Sequence, residues 1–459
     1  MKILFVIHRL DFADHIAIAY LSAIAKQSNH STYFCSLDIK DMISMIKDIR
    51  PDIVAYSVNI LGFRKIVEEH KKAMKIHKFV SIMGGPQATF SPETFPESGM
   101  DVYCIGEGEY AFRDFLIKVE NGESFDDVPN LITKNRVNPI RPLIQNLDEL
   151  PPADRDLTIS NSFLKNSSKK TFYATRGCPF SCTYCCNDYY NKLYKGKGPI
   201  VRRFSVERIL KEIEDVKSKY RTDFIKFGDD LFAMRVDEWL EEFAEKYPKR
   251  IGIPFNCYLR FDRVDDDLLR LLKKAGCYSV HLSIDSTSKY VRDNILKRKM
   301  KDVDIVDVLK KIRSYGINTL VNYMLAIPES TLQDDLDTIK LSKDGRVTFT
   351  HYTTTVPMKG TELYNYCVKK KIIDPSTHKG DMTGISEIST LSCFTEKEKK
   401  IRFNIYLLGS MISKFPFPLY NIAISMMKII PPNRFFRKIH NYYASYNCRN
   451  TIFKIPKGG

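Results

Sequence analysis

Short apolar runs separated by helical stripes set the pattern of the first quarter of the chain. Strand-like runs cover 2–7, 32–35, 52–58, 79–83 and 101–105, with helical periodicity at 13–26, 41–49 and 63–77. Strands alternating with helices predict a parallel sheet covered on both faces. Such a Rossmann-like domain binds its ligand at the carboxyl ends of the strands, where the strand order reverses. The pattern then breaks. Pro129, Pro139, Pro142, Pro151 and Pro152 interrupt it, and 161–170 is polar without period, so a linker is expected.

A strand–helix repeat resumes beyond it. Strands are expected at 171–175, 223–227, 254–260, 278–284, 318–326 and 347–353. Val206, Ile209, Leu210, Ile213, Val216 and Tyr220 form one apolar stripe behind a Ser205 cap. Helices at 268–275 and 305–315 end at Gly276 and Gly316. Six such units predict a partial (β/α)6 barrel, with its chemistry at the strand C-terminal ends. From 376 onward aromatic, aliphatic and basic residues mix, and Pro416 and Pro418 break any single long helix. The fold class is therefore α/β: a Rossmann-like domain (1–125), a linker (126–170), a partial barrel (171–375) and a mainly helical, basic and hydrophobic C-terminal segment (376–459).

Composition narrows this picture. At 459 residues, 44% hydrophobic and 27% charged, the chain suits two or three folded domains, and whole-chain disorder is excluded. No apolar run is long enough to span a membrane. The N-terminus reads as a first strand and lacks a cleavage pattern, so a cytoplasmic, reducing setting is expected. Its 11 cysteines are then candidates for metal or redox roles rather than disulfides. The net charge of +16 is uneven: 401–459 holds nine Lys or Arg and no acid. Nucleic acid is therefore not the expected partner, although Tyr442, Tyr443 and Tyr446 lie among basic residues. The 401–459 stretch reads first as a helical cap on the barrel, and second as a peripheral membrane contact.

The strongest chemical signal is TRGCPFSCTYCCND, where Cys178, Cys182 and Cys185 are spaced C-x3-C-x2-C directly after a strand. Three thiolates in one loop can hold three irons of a [4Fe–4S] cluster and leave the fourth iron open. Cys186 follows directly, and its side chain is expected to point elsewhere. Zinc is the competing metal, but no paired motif lies nearby. This loop on a barrel's first strand resembles the radical S-adenosylmethionine (radical-SAM) superfamily.

That resemblance implies that the open iron chelates S-adenosylmethionine, whose cleavage yields a 5′-deoxyadenosyl radical. It also implies roles for flanking residues. Tyr184 stands at the position whose backbone meets the adenine. Gly228, Asp229 and Asp230 end the second strand, near the methionine ammonium. Asp285 ends the fourth, near the ribose. Glu329 follows the fifth strand on the adenine side, without the usual glycine. The implied partners are a lipid-like or other small-molecule substrate and an electron donor such as flavodoxin or ferredoxin.

The N-terminal domain resembles the cobalamin-binding domains found upstream of such barrels. Ser57 ends the third strand, Gly84 and Gly85 follow the fourth, and Gly106 and Glu107 follow the fifth. Twenty-six residues separate Ser57 from Gly84, similar to the spacing that flanks the nucleotide tail of cobalamin. The D-x-H-x-x-G motif is absent. Asp14-His15 has Ala13 and Ile18 where that motif wants Asp and Gly, so His15 reads as a polar helix-start residue. Together the resemblances imply methylation of an unactivated carbon through methylcobalamin. Ring formation, tRNA modification and a non-catalytic cobalamin sensor are the alternatives.

Overall fold

The structure is a computed structural model that describes residues 1–10, 15–376 and 388–455. It divides into two compact units. The first comprises 1–170, 189–204 and 218–220, and the second 171–188, 205–217 and 221–459.

Apolar runs form the first sheet: β1 (Lys2–Ile7), β2 (Ser31–Ser36), β3 (Ile53–Ser57), β4 (Val80–Gly84), β5 (Val102–Cys104) and β6 (Leu131–Ile132). Their order is β2-β1-β3-β4-β5-β6. The first five are parallel, and β6 closes the edge antiparallel to β5. The order reverses at β1, between β2 and β3, so the crevice at their carboxyl ends is the ligand position for this topology. The helix expected at 13–26 is Ile16–Gln27 with His15 as its cap, and Ala13 and Asp14 lie outside the described residues. Helix Met42–Ile49 starts at the Asp41 side chain, which accepts from the Ile43 and Ser44 N–H groups. The segment expected to be a plain linker supplies β6. Asn130, 1% exposed, ties this stretch down by donating from Nδ2 to the Ile105 and Glu107 carbonyls.

The second sheet is built from β7 (Lys169–Phe172), β10 (Phe224–Phe227), β11 (Phe255–Tyr258), β12 (Cys277–Asp285), β13 (Asn318–Leu325) and β14 (Phe349–Thr354), in the order β14-β13-β12-β11-β10-β7. Two short strands, β8 (Thr175–Arg176) and β9 (Arg202–Arg203), fall between β7 and β10 in sequence. Pairings from β10 through β14 are parallel. Alternate residues sort to two faces. Phe227, Phe255, Val280, Leu282, Val321 and Tyr323 are buried on one, while Lys226, Tyr258, His281 and Asn322 on the other keep partial solvent access. The stripe of helix Val206–Lys219 is buried as expected, at Val206, Ile209, Leu210, Ile213 and Val216.

The C-terminal segment does two things. Helix Glu396–Ile412 buries most of its length against β14 and helix Leu332–Asp344, and buried Arg402 donates to Asp335 at 2.5 Å. Helices Phe417–Ile429 and Arg434–Asn447 follow with largely exposed side chains. The turn Cys448–Ile452 packs Ile452 on Leu320 and Phe349, and its Ile452 carbonyl accepts from Ser279 Oγ.

Candidate functional site

The cysteine loop leaves β8 and runs into helix Cys186–Leu193. Its root is fixed by Asp229, 2% exposed, whose Oδ1 accepts the Thr175 N–H at 2.5 Å and the Thr175 hydroxyl at 2.8 Å. Burial pushes the Asp229 carboxyl up to about 7 against these hydrogen bonds. Asp229 therefore braces the loop. Gly228 is required for packing, since a Cβ there would stand 2.7 Å from the Tyr173 ring. The middle of the loop is tied at Thr183, which donates from N to Leu296 O and from Oγ1 to Ile295 O, and accepts from Leu363 N.

The three thiols differ electrostatically. Burial pushes Cys178 up to about 11 and raises Cys182. Cys185 is lowered to about 7, first by a hydrogen bond from the Cys186 thiol and then by the Asn187 backbone and side chain. Cys186 thus faces Cys185, contrary to the expectation that it points elsewhere. The nascent helix turns the chain so that neighbouring thiols meet. Asp230 sits beside Cys178, Cys185 and Cys186, raising all three, and takes a hydrogen bond from Asn187. Among the described residues no three His, Cys, Asp or Glu stand close enough to hold one metal ion. Cys178, Cys182 and Cys185 offer three thiols on one short loop, the ligand type that an iron–sulfur cluster takes.

Tyr184 and Asp285 come together, but not as open ligand groups. The Tyr184 hydroxyl donates to Asp285 Oδ2 at 2.7 Å. Arg298 donates from Nη1 to that hydroxyl at 2.8 Å and pairs with Asp285 Oδ2 at 2.5 Å. Its Nη2 donates to Ser283 O at 2.5 Å. Asp285 has φ +69 and is 3% exposed; Arg298 is 7% exposed. This closed triad locks the loop to the end of β12. The sequence reading missed Arg298 because it sits in the charge run LKRKMK, which reads as a solvated face. Glu329 is likewise engaged, by Tyr290 at 2.9 Å and by Tyr366.

In the first unit, Ser57, Gly84 and Gly85 meet at the ends of β3 and β4. Gly85 has φ +92, and a Cβ there would stand 3.0 Å from Val58 O, so only glycine suits this position. At Gly84 the nearest atom to an added Cβ is 3.9 Å away, which leaves room beside the backbone. His15 Nε2 lies 3.3 Å from Ser57 Oγ, as befits a polar helix-start residue. These positions fit a bulky ligand laid over the strand ends. Gly106 and Glu107 are engaged by protein instead. A Cβ on Gly106 would overlap the Tyr194 hydroxyl, which accepts the Glu107 N–H at 2.6 Å. The Glu107 carboxylate is held by Arg202 at 2.7 and 2.9 Å. Tyr194 and Arg202 were not read from the sequence, because they lie about a hundred residues from the strand end they cover.

Comparisons with known proteins agree with this layout. The model of the radical SAM superfamily matches residues 172–342, and that of the B12 binding domain matches 5–116. An uncharacterized methyltransferase of Pyrococcus horikoshii is 25% identical over 427 residues, covering 89% of this chain and 91% of its own. Among solved structures, the cobalamin-dependent S-adenosylmethionine radical enzyme OxsB aligns with a TM-score of 0.69 at 18% identity, over 97% of this chain and 71% of its own. The radical S-adenosylmethionine methyltransferase TsrM from Kitasatospora setae, solved with cobalamin and a [4Fe–4S] cluster, aligns with a TM-score of 0.65 at 15% identity, over 80% of this chain and 78% of its own. The chain is a radical-SAM enzyme with an N-terminal B12-binding domain, a member of the cobalamin-dependent radical-SAM family.

Proposed function

We propose that this enzyme methylates an unactivated carbon of a small-molecule substrate. The carrying observation is the three-cysteine loop at the strand ends of a radical-SAM domain, in a chain that begins with a B12-binding domain. When bound, the cluster with S-adenosylmethionine supplies a hydrogen-abstracting radical, and cobalamin supplies the methyl group. The protein's part is holding and orienting. Cys178, Cys182 and Cys185 hold the cluster. Asn187 and Cys186 stabilise the Cys185 thiolate, and Asp230 offers a carboxylate beside it for an ammonium group. The Tyr184–Asp285–Arg298 triad fixes the loop. Ser57, Gly84 and Gly85 form the cobalamin cradle, and Gly106 and Glu107 shape its edge through Tyr194 and Arg202.

Anaerobic reconstitution with iron, sulfide and hydroxocobalamin tests this. The expected result is cluster and cobalt absorbance together with 5′-deoxyadenosine formation. Zinc in place of iron, or a cluster signal insensitive to S-adenosylmethionine, would refute it. Reduction of the cluster calls for a small electron-transfer protein such as flavodoxin or ferredoxin.

The C-terminal helices carry a second part of the proposal, peripheral contact of a cytoplasmic enzyme with an anionic membrane surface. Phe417, Ile429, Phe435 and Tyr442 are 66–81% exposed, and Lys428, Arg434, Arg437 and Lys438 stand among them. No helix among the described residues is long and apolar enough to cross a membrane. Exposed apolar groups with basic neighbours suit an interfacial position. Co-sedimentation with phosphatidylglycerol vesicles but not phosphatidylcholine vesicles is expected, lost at high salt. Equal binding to both, or to neither, would refute the contact.

A further inference from the structure

The lumen-facing side chains of the second sheet form a polar belt that the cysteine site does not use. Register places them on one face of the sheet, at successive levels along the strands. Lys226 pairs with Asn256 across β10 and β11, Tyr258 with His281 across β11 and β12, and Asn322 with His351 across β13 and β14. Tyr258 and His281 stack with centroids 4.2 Å apart, and Lys226 Nζ lies 5.4 Å from the Tyr258 centroid. Beside His281 in register stand Leu320 and then Phe349, and these with Phe224 meet Ile452 and Phe453 at the C-terminal turn, which floors this end of the sheet. Above them stand the cysteine loop and the triad at the strand ends.

Two features of the belt are costly unless something binds there. Asn256 Oδ1 is a buried atom without a hydrogen-bond partner, and the buried His281 Nε2 and Asn322 Oδ1 have only their mutual, imperfectly formed interaction. Lys226 has no carboxylate within ion-pair distance among the described residues, and its ammonium opposes any charge on His281. Burial keeps the His281 imidazole neutral, so Lys226, Tyr258, His281 and Asn322 bring one lysine, neutral hydrogen-bonding groups and no acid. Each polar position replaces what could be an apolar lumen residue in a strand whose outer face is fully apolar.

We infer that Lys226, with Tyr258, His281 and Asn322, binds an anionic group of the substrate, a carboxylate or a phosphate, inside the lumen beneath the cysteine loop. This rests on the proposed function only in taking the lumen as the substrate's place. The anion fixes the substrate's depth, so that the carbon to be modified is set by its distance from that group. A substrate with an apolar body still satisfies the belt if it carries one such head.

The test uses reconstituted full-length protein under anaerobic conditions, with inorganic phosphate and succinate as probes at constant ionic strength against sodium chloride. Either probe, or both, should raise Tm by about 3 °C over chloride in the unmodified protein; which one does so separates phosphate from carboxylate. The rise should vanish in Lys226→Met, persist in Lys226→Arg and shrink in Tyr258→Phe. Iron content and Tm in chloride report whether each variant folds, and if Lys226→Met does not, the Tyr258→Phe and Lys226→Arg pair decides. No rise over chloride in the unmodified protein, or an equal rise in Lys226→Met and Tyr258→Phe, would overturn the inference. Failure to form 5′-deoxyadenosine with the anion response intact would instead strike the proposed function alone.

Discussion

Removing the guanidinium of Arg298 is the sharpest test of how the cysteine loop is held. Arg298→Met keeps much of the side-chain volume, so the cavity cost is small and the charge effect dominates. In the native triad the guanidinium reaches Asp285 Oδ2 at 2.5 Å, the Tyr184 hydroxyl at 2.8 Å and Ser283 O at 2.5 Å. With Asp285 only 3% exposed, water cannot replace the lost partner, and one tyrosine hydroxyl is left to the carboxylate. Breaking a buried pair in this way costs about 3–5 kcal/mol. At about 2–4 °C per kcal/mol for a unit of this size, Tm should fall by roughly 6–20 °C. Tyr184 lies between Cys182 and Cys185, so iron retained after reconstitution should fall as well. A cycle with Asp285→Asn and the double variant isolates the pair, and the double should be less destabilised than the sum of the singles by about 1–3 kcal/mol. An Arg298→Met protein that melts within 2 °C of the unmodified chain, by rough estimate, and holds its full iron would refute the anchoring role.

Three further outcomes follow from single positions. Asp229 is raised to about 7 in the fold from an ordinary 3.8. Its contribution is therefore full below the ordinary carboxylate range and is lost as pH rises toward 7. Asp229→Asn keeps the oxygen that accepts from Thr175 but cannot ionise, so its stability relative to the unmodified protein should climb by a few kcal/mol between about pH 4 and 7 and then level off, as read by denaturant midpoints across pH; a flat difference would contradict the assignment. Cys186→Ala removes the thiol hydrogen bond that lowers Cys185, so iodoacetamide labelling of Cys185 in cluster-free protein at pH 7 should slow several-fold, by rough reckoning, and an unchanged rate would exclude that bond. Gly85→Ala forces a side chain into a left-handed backbone 3.0 Å from Val58 O and should cost about 1–3 kcal/mol, whereas Gly84→Ala should leave Tm unchanged and lower cobalamin occupancy measured by absorbance.

Much of the scaffold was legible because buried parallel strands are short apolar runs. β1 matched its run end to end, and β2 through β5 lie within one or two residues of theirs. The cysteine loop was legible because its ligands are local in sequence. What escaped notice was non-local. β6 has two residues, too few for a period, and lies among prolines. Arg298 and Arg202 sit in basic runs, and their acids Asp285 and Glu107 are 13 and 95 positions away. A charge run gives no hint of which member turns inward. For the lumen a signal did exist: Lys226, His281 and Asn322 each stand between apolar or aromatic neighbours, in IKF, VHL and VNY. A charged or amide side chain on the inner face of such a strand is expensive without a reason.

The same logic separates the two halves of the proposed cobalamin positions. At the end of β5, backbone approach at Gly106 is taken by Tyr194 and the Glu107 carboxylate by Arg202. At the ends of β3 and β4, Ser57 faces His15, and a Cβ added at Gly84 would reach no closer than ordinary van der Waals contact, 3.9 Å from Cys104. Glycines therefore serve two purposes along one sheet edge. At Gly106 and Gly85 the missing Cβ admits the protein's own atoms, and the fold would resist substitution with or without a cofactor. At Gly84 the fold itself does not need a glycine, which is why the proposed cobalamin contact is tested there rather than at Gly85. The cobalamin proposed above would lie over the ends of β3 and β4, beside the β1/β3 reversal where this sheet order opens its crevice.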